Sequence, residues 1–297
     1  MRVREGNIGR IGARAGIAVA GASALLLFIA ASNTRASAGA DDHVEIGESR
    51  PGSVTVAVPT AVSGITVTRA RAPGRPIVVI DPGHGGRDPG ATAVSGEITE
   101  KALTLALARE LRQRLADRGR VRVALTRDGD DYLTLDQRAG IARQLGASLF
   151  LSLHMDSAPN PLARGATIYS LSDVASDAEA ARFAHSENVR ATRMDTAAGS
   201  VPAILADLAF RTQMESSAEL ATRLVRKSTG RLELRPEPHR FASFHVLRRS
   251  AAPAVLFEAG YVSNADDELL LRSPEHRKRI VAALAEAIET EVARRSR

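Results

Sequence analysis

The chain has no cysteine and no tryptophan, and only 3% of its 297 residues are aromatic. Without cysteine there are no disulfides, no thiol nucleophile and no thiolate metal ligands, so any metal must be held by His, Asp and Glu. So few rings leave little material for stacking on nucleic acid or glycan. Excess charge is scarce as well. Of the formal net charge of +6, residues 1–38 hold +4, from Arg2, Arg4, Arg10, Arg14 and Arg35 against Glu5. The remaining residues net only about +2, and a nucleic-acid partner loses its electrostatic support.

What is present begins with an export signal. An arginine-bearing start leads into an apolar core from Ala15 to Ala31, followed by small residues at Ala36-Ser37-Ala38, which sets expected cleavage after Ala38. The alternative is an uncleaved anchor, because seventeen weakly apolar residues approach a bilayer-crossing length. No adjacent arginine pair precedes the core, which favours the general export route. Residues 39–75, with Asp41-Asp42 and scattered Pro, Gly and Ser, read as a linker or short strand-like extension. Within it SVTVAV and GITVTRA alternate as strands do.

From Pro76 the pattern is strand, helix, strand, helix. Strands are expected at Ile77–Ile80, 121–126, Ala147–His154, Arg164–Ser170, Phe244–Leu247 and Ala254–Glu258. Helices are expected at Glu100–Gly119 with Thr99 as N-cap, Leu135–Leu145, 175–188, 203–210, 216–228 and Pro274–Arg294. The implied fold class is α/β. A single catalytic domain over 76–295 would hold a mostly parallel or mixed sheet of about six strands, with helices on both faces.

In such sheets ligands gather at the carboxyl ends of strands. His84 follows the first strand in DPGHGGRDPG, His154 ends the third, and Glu258 ends the last. Two imidazoles with the carboxylate of Glu100 make a His-Glu-His zinc site, one ion per chain, with a coordination position left for water. Glu258, at the end of a hydrophobic strand, has the chemistry of a general base whose pKa burial raises. Each residue also has a plainer reading. Glu100 suits the first turn of a helix on dipole grounds alone, and a strand-end histidine or a structural carboxylate needs no metal. His43, His185, His239 and His276 have no comparable setting, His245 lies beside an expected strand near Glu258, and Asp81 and Asp156 read as supporting or turn residues.

These segments resemble the zinc-dependent N-acetylmuramoyl-L-alanine amidases of the type 3 amidase family, bacterial cell-wall hydrolases. The resemblance spans about Ile77 to Val292 and rests on five motifs in order: DPGHGGRDPGA (Asp81–Ala91), Glu100-Lys101, TRDGDDYLTLDQRAGIA (Thr126–Ala142), SLHMD (152–156) and FHVLRRSAAPAVLFEAGYVSN (244–264). Met155 stands where a small residue is more usual. The resemblance implies that His84, Glu100 and His154 are the zinc ligands and Glu258 the catalytic glutamate. It implies cleavage of the amide between N-acetylmuramic acid and L-alanine of peptidoglycan, during wall remodelling or daughter-cell separation, by an enzyme exported to the periplasm. No stable membrane insertion is expected after signal cleavage. Some relatives are held inactive by a helix that places a carboxylate on the zinc until an activator protein displaces it. Residues 171–215 could include such an element, with Asp173, Asp177 and Glu179 as candidate blocking groups. Competing readings are a zinc peptidase or deacetylase acting on another amide, and a non-catalytic envelope protein that binds peptidoglycan.

Overall fold

The computed structural model describes residues 64–192 and 203–295. The expected export signal, SVTVAV and His43 lie outside the described residues.

The β-branched run at Ile77 forms β1 (Ile77–Pro82), buried at every position. Burial on both faces is what a central strand covered by helices on each side requires. β1 pairs in parallel with β2 (Arg122–Leu125) on one edge and β3 (Leu149–Asp156) on the other. β6 (Ala254–Tyr261) runs parallel to β3. β4 (Ala166–Leu171) pairs antiparallel with β6 and parallel with β5 (Leu234–Ala242). The result is a mixed six-stranded sheet in the order β2-β1-β3-β6-β4-β5.

Helices cover both faces, as the alternation predicts. On one side α1 (Glu100–Arg118), the C-terminal part of α4 (Ala203–Ser228) and α7 (Pro274–Arg295) lay Leu107, Leu111, Leu220, Leu224, Ile280 and Leu284 against Ile80, Leu151 and Phe257. On the other, α2 (Leu135–Gln144), α3 (Ala178–Thr192) and α5 (His245–Arg249) bring Ile141, Ala184 and Leu247, with Phe244, against Val79, Phe150 and Leu256. Alternate residues of a strand point to opposite faces. Ser152 and His154 therefore share the α2–α3 face with Phe150, while Leu151, Leu153 and Met155 serve the other core.

The structure differs from expectation at the edges of the fold. Phe244–Leu247 is no strand: it is the entry to α5, whose Val246 and Leu247 are buried. A four-residue apolar run does not distinguish the two states. The strand is β5 just before it, disguised by Pro236 and Pro238. It is the terminal strand of the sheet, and both prolines fall where its register with β4 slips between Leu234 and His239, so neither breaks a paired position. The helices expected at 203–210 and 216–228 are one, α4, because Ser217 is satisfied inside it: its hydroxyl donates to the Gln213 carbonyl at 2.7 Å and accepts from the Ala254 N–H at 3.0 Å. Thr99 occupies the N-cap position of α1 without a side-chain capping bond. A further helix, α6 (Ala265–Arg272), was not anticipated, although Asn264 caps it by accepting from the N–H groups of Asp266 and Asp267.

The stretch before β1 lies along the β2 edge. Val67 bridges Ala124 in antiparallel fashion, Thr68 N–H donates to the Val123 carbonyl at 2.8 Å, and Arg71 N–H donates to the Gly119 carbonyl at 3.0 Å. These bonds cover part of an edge that would otherwise present unpaired backbone groups.

Candidate active site

β1 ends by delivering a turn in which His84 adopts φ = 59°, left-handed backbone that costs a non-glycine residue energy. Its surroundings hold that conformation in place. The buried Arg138 of α2 donates to the carbonyls of Pro82 (2.8 Å) and His84 (2.7 Å) and to Asp81 Oδ1 (2.8 Å). Asp81 also accepts from Thr126 (2.6 Å) and Ser152 (2.9 Å). Burial alone would raise the Asp81 pKa, but Arg138 and these hydrogen bonds outweigh it and hold the carboxyl below its usual range. Arg127 donates to the Pro82 and Gly83 carbonyls from the other side. A Cβ at Gly83 would sit 2.5 Å from the His154 ring, so only glycine lets the turn approach so closely.

Glu100, the first residue of α1, reaches back to the same spot. Its Oε2 accepts from the Ala91 N–H at 2.9 Å and its Oε1 from the Met155 N–H at 3.1 Å. Oε1 also lies 2.9 Å from His84 Nε2 and 2.9 Å from His154 Nδ1. The three side chains are buried, and one donor atom from each falls within 4.8 Å of the others. The rings of His84 and His154 meet edge to face at 4.9 Å.

The hydrogen bonding of His84 is asymmetric. Its Nδ1 is 2.8 Å from Asp88 Oδ2, whereas Nε2 is buried without an aligned hydrogen-bond partner despite its closeness to Glu100. A carboxylate on one ring nitrogen fixes the proton there and leaves the other lone pair for a cation. The electrostatics show how strongly the spot draws positive charge, a proton taking that place at neutral pH. Burial would lower the His84 pKa, but the nearby Glu100 carboxylate, with the hydrogen bond to Asp88, carries it up to about 10. Glu100 is itself held well below the usual carboxylate range, because the two imidazoles outweigh its burial.

Glu258 stands beside this group in register with His154 on the neighbouring strand, within β6 rather than at its end. It is fully buried, and neither of its oxygens has a hydrogen-bond partner among the described residues. Burial, then the carboxylates of Asp156, Glu100 and Glu187, push its pKa well above the usual value. Asp156, at the end of β3, is also raised by burial, to about 6.

A cleft runs over the site, lined by Asp81, Gly83, His84, Asp88 and His154 on its floor, Tyr132, Leu133, Leu135 and Arg138 on one wall, and Phe244, Val246 and Leu256 on another; Glu187 and Asn188 of α3 also border it. The candidate blocking groups do not line it. Asp173 pairs with Arg248, Asp177 caps α3 by accepting from the Glu179 and Ala180 N–H groups, and Glu179 pairs with Arg235 and Arg240. Among the described residues of 171–215, the carboxylate that does border the cleft is Glu187 of α3. Asn188 beside it bridges to the Ser243 carbonyl and the His245 N–H, and this backbone contact is how His245 comes near the site. Asp88 and Glu187 escaped the sequence reading. The spacing of Asp88 four residues after His84 could have flagged the first; no local signal marks the second.

A mixed sheet with a buried histidine in the turn after β1, a glutamate opening α1 and a histidine in β3 belongs to a known class, the catalytic domains of bacterial cell-wall amidases. The catalytic domain of CwlV, an N-acetylmuramoyl-L-alanine amidase from Bacillus (Paenibacillus) polymyxa var. colistinus, is 27% identical with a TM-score of 0.52, covering 72% of this chain and 96% of that one. The N-acetylmuramoyl-L-alanine amidase AmiC2 of Nostoc punctiforme is 26% identical with a TM-score of 0.53, covering 75% of this chain and 99% of that one. The chain belongs to the Amidase_3 family, N-acetylmuramoyl-L-alanine amidase, which matches residues 78–290. Among its relatives, the N-acetylmuramoyl-L-alanine amidase AmiA of Escherichia coli K12 is 33% identical over 223 residues, 72% of this chain and 75% of that protein.

Proposed function

We propose that the chain is an exported, zinc-dependent amidase that hydrolyses the bond between N-acetylmuramic acid and L-alanine in peptidoglycan. The observation that carries this reading is the convergence of His84, Glu100 and His154 with His84 Nε2 left without a hydrogen-bond partner, in a chain of this family. Two imidazoles and one carboxylate are a donor set that suits zinc with room for a further ligand. When bound, zinc supplies Lewis acidity, acidifying water and polarising an amide carbonyl.

The rest is the work of the chain's own side chains. Glu258 takes the proton of the attacking water at its carboxylate and delivers it to the departing nitrogen of L-alanine, a role its raised pKa favours near neutral pH. Asp88 fixes the His84 tautomer, and Arg138 with Arg127 holds the turn that presents the ring. The apolar wall of Leu133, Phe244 and Val246 limits water around the reacting bond. Regulation by an activator fits the position of Glu187: a partner that draws α3 away would clear a carboxylate from the cleft. Wall remodelling or daughter-cell separation in the periplasm is the setting in which such an enzyme meets its substrate.

Zinc content and muropeptide release, compared between the wild type and Glu258→Ala, test the proposal. The variant should keep its zinc while turnover falls about 10²- to 10⁴-fold. Mass analysis of digested sacculi should show intact stem peptides released from unbroken glycan strands. Cleavage within the peptide would favour a peptidase instead.

A further inference from the structure

The modest net charge of the chain conceals a segregation. At the amino ends of β1 and β2, Arg69, Arg71, Arg75, Arg118, Arg120 and Arg122 gather in one region, with the carboxylates of Asp117, Glu289 and Glu286 among or beside them. Backbone and side-chain bonds tie them together. Arg71 donates to the Asp117 carbonyl at 3.3 Å and its backbone to the Gly119 carbonyl, Arg122 Nε donates to the Arg75 carbonyl at 2.7 Å, and Arg118 and Arg120 both pair with Glu289. Six cations against three carboxylates still leave more positive charge than the whole chain beyond residue 38 carries in net. The negative end of the α1 dipole accounts for Arg118 alone, since the others lie off that helix.

The location gives this charge a direction. α1 has Glu100 at one end and Arg118 at the other, so the catalytic cleft and the basic face are separated by the length of the helix, about 27 Å at 1.5 Å per residue. The arginines spread across the ends of two strands, one helix and the segment before β1 rather than converging on a point, which suits an extended anionic plane better than a single small anion.

We propose that this face docks on an anionic phospholipid bilayer after export, turning the cleft outward to the wall. Juxtamembrane arginines each add to such binding, and the attraction fades beyond a Debye length. This inference goes beyond the amidase reading and rests on it only for export and for the orientation of the cleft, since its test reads binding and not turnover.

The exported protein, recovered from the cell envelope, is sedimented with vesicles of phosphatidylglycerol and phosphatidylcholine, or of phosphatidylcholine alone. Preferential binding to the anionic vesicles, lost in about 0.5 M salt, is expected. The triple variant Arg69→Gln, Arg75→Gln, Arg120→Gln should lose at least about tenfold in affinity. The matching Arg→Lys triple, which keeps the charge, should bind as the wild type does and shows that the loss is not one of folding; thermal unfolding of both confirms it. Should the Gln triple not fold, Arg75→Gln alone is expected to weaken binding measurably. Equal binding to neutral vesicles, or an unchanged Gln triple, overturns the proposal. Charge-dependent binding to lipid-free sacculi instead of vesicles would also overturn it, assigning the face to an anionic wall polymer.

Discussion

At the scale of single residues, the site rests on charge balanced out of water. Asp81 and Arg138 are both buried, and Arg138 also holds the backbone of Pro82 and His84. Asp81→Asn keeps the volume and removes the charge, leaving a buried guanidinium without its counter-ion. A loss of about 3 kcal/mol is expected in urea unfolding at neutral pH. The sign with pH follows from the lowered pKa of Asp81. A depressed carboxylate adds stability above its unfolded pKa, about 4, and loses it as pH falls through the folded value. The gap between wild type and variant should therefore close in acid; parallel stability curves would mean that the pair contributes nothing through its charge. His84, Glu100, His154 and Glu258 were readable from the sequence because each sits where an apolar run or helix begins or ends, and the fold brings those ends together. Arg138 and Glu187 were not, since their partners lie more than fifty residues away in one case and their relevance depends on how α3 lies across the sheet in the other.

At the scale of elements, periodicity located the central strands and the long helices because burial there is one-sided or complete, and composition has to follow it. It failed where an element is short or lies at the edge. β5 carries two prolines that only an outer strand tolerates, and α5 consists of five residues whose apolar character says nothing about period. α6 is written in polar capping chemistry rather than in hydrophobic spacing. α3 is the helix whose Glu187 and Asn188 border the cleft. It is pinned by Arg235 and Arg240 to Glu179 at its start and by Asn188 to the α5 entry, and between these it presents Glu187 to the cleft. If Glu187 restrains the enzyme, Glu187→Ala should raise the basal release of stem peptides from purified sacculi severalfold without changing zinc content. A rate that stays level or drops would show instead that α3 shapes the cleft for substrate.

At the scale of the whole molecule, the site joins parts of the sequence that have no other reason to stay together: the turn after β1, the start of α1 and the end of β3. An ion held by all three binds the folded chain and not the unfolded one, so it stabilises in proportion to its occupancy, by about 2.7 kcal/mol at a hundredfold excess over Kd. For a domain of this size each kcal/mol shifts Tm by about 2–4 °C. Removing the metal with a chelator should thus lower Tm by about 5–10 °C, and added zinc should restore it. The variants divide the roles of the four side chains in the same measurement. Glu258→Ala, which removes no ligand, should keep the full zinc-dependent shift while losing turnover, whereas His84→Ala should lose both. The shift should shrink as the solution is acidified, because protons compete for the His84 imidazole, whose pKa is raised to about 10 by Glu100 and Asp88 against its burial. A wild-type Tm indifferent to chelator, in a protein that still releases stem peptides, would detach the chemistry from the His-Glu-His group altogether.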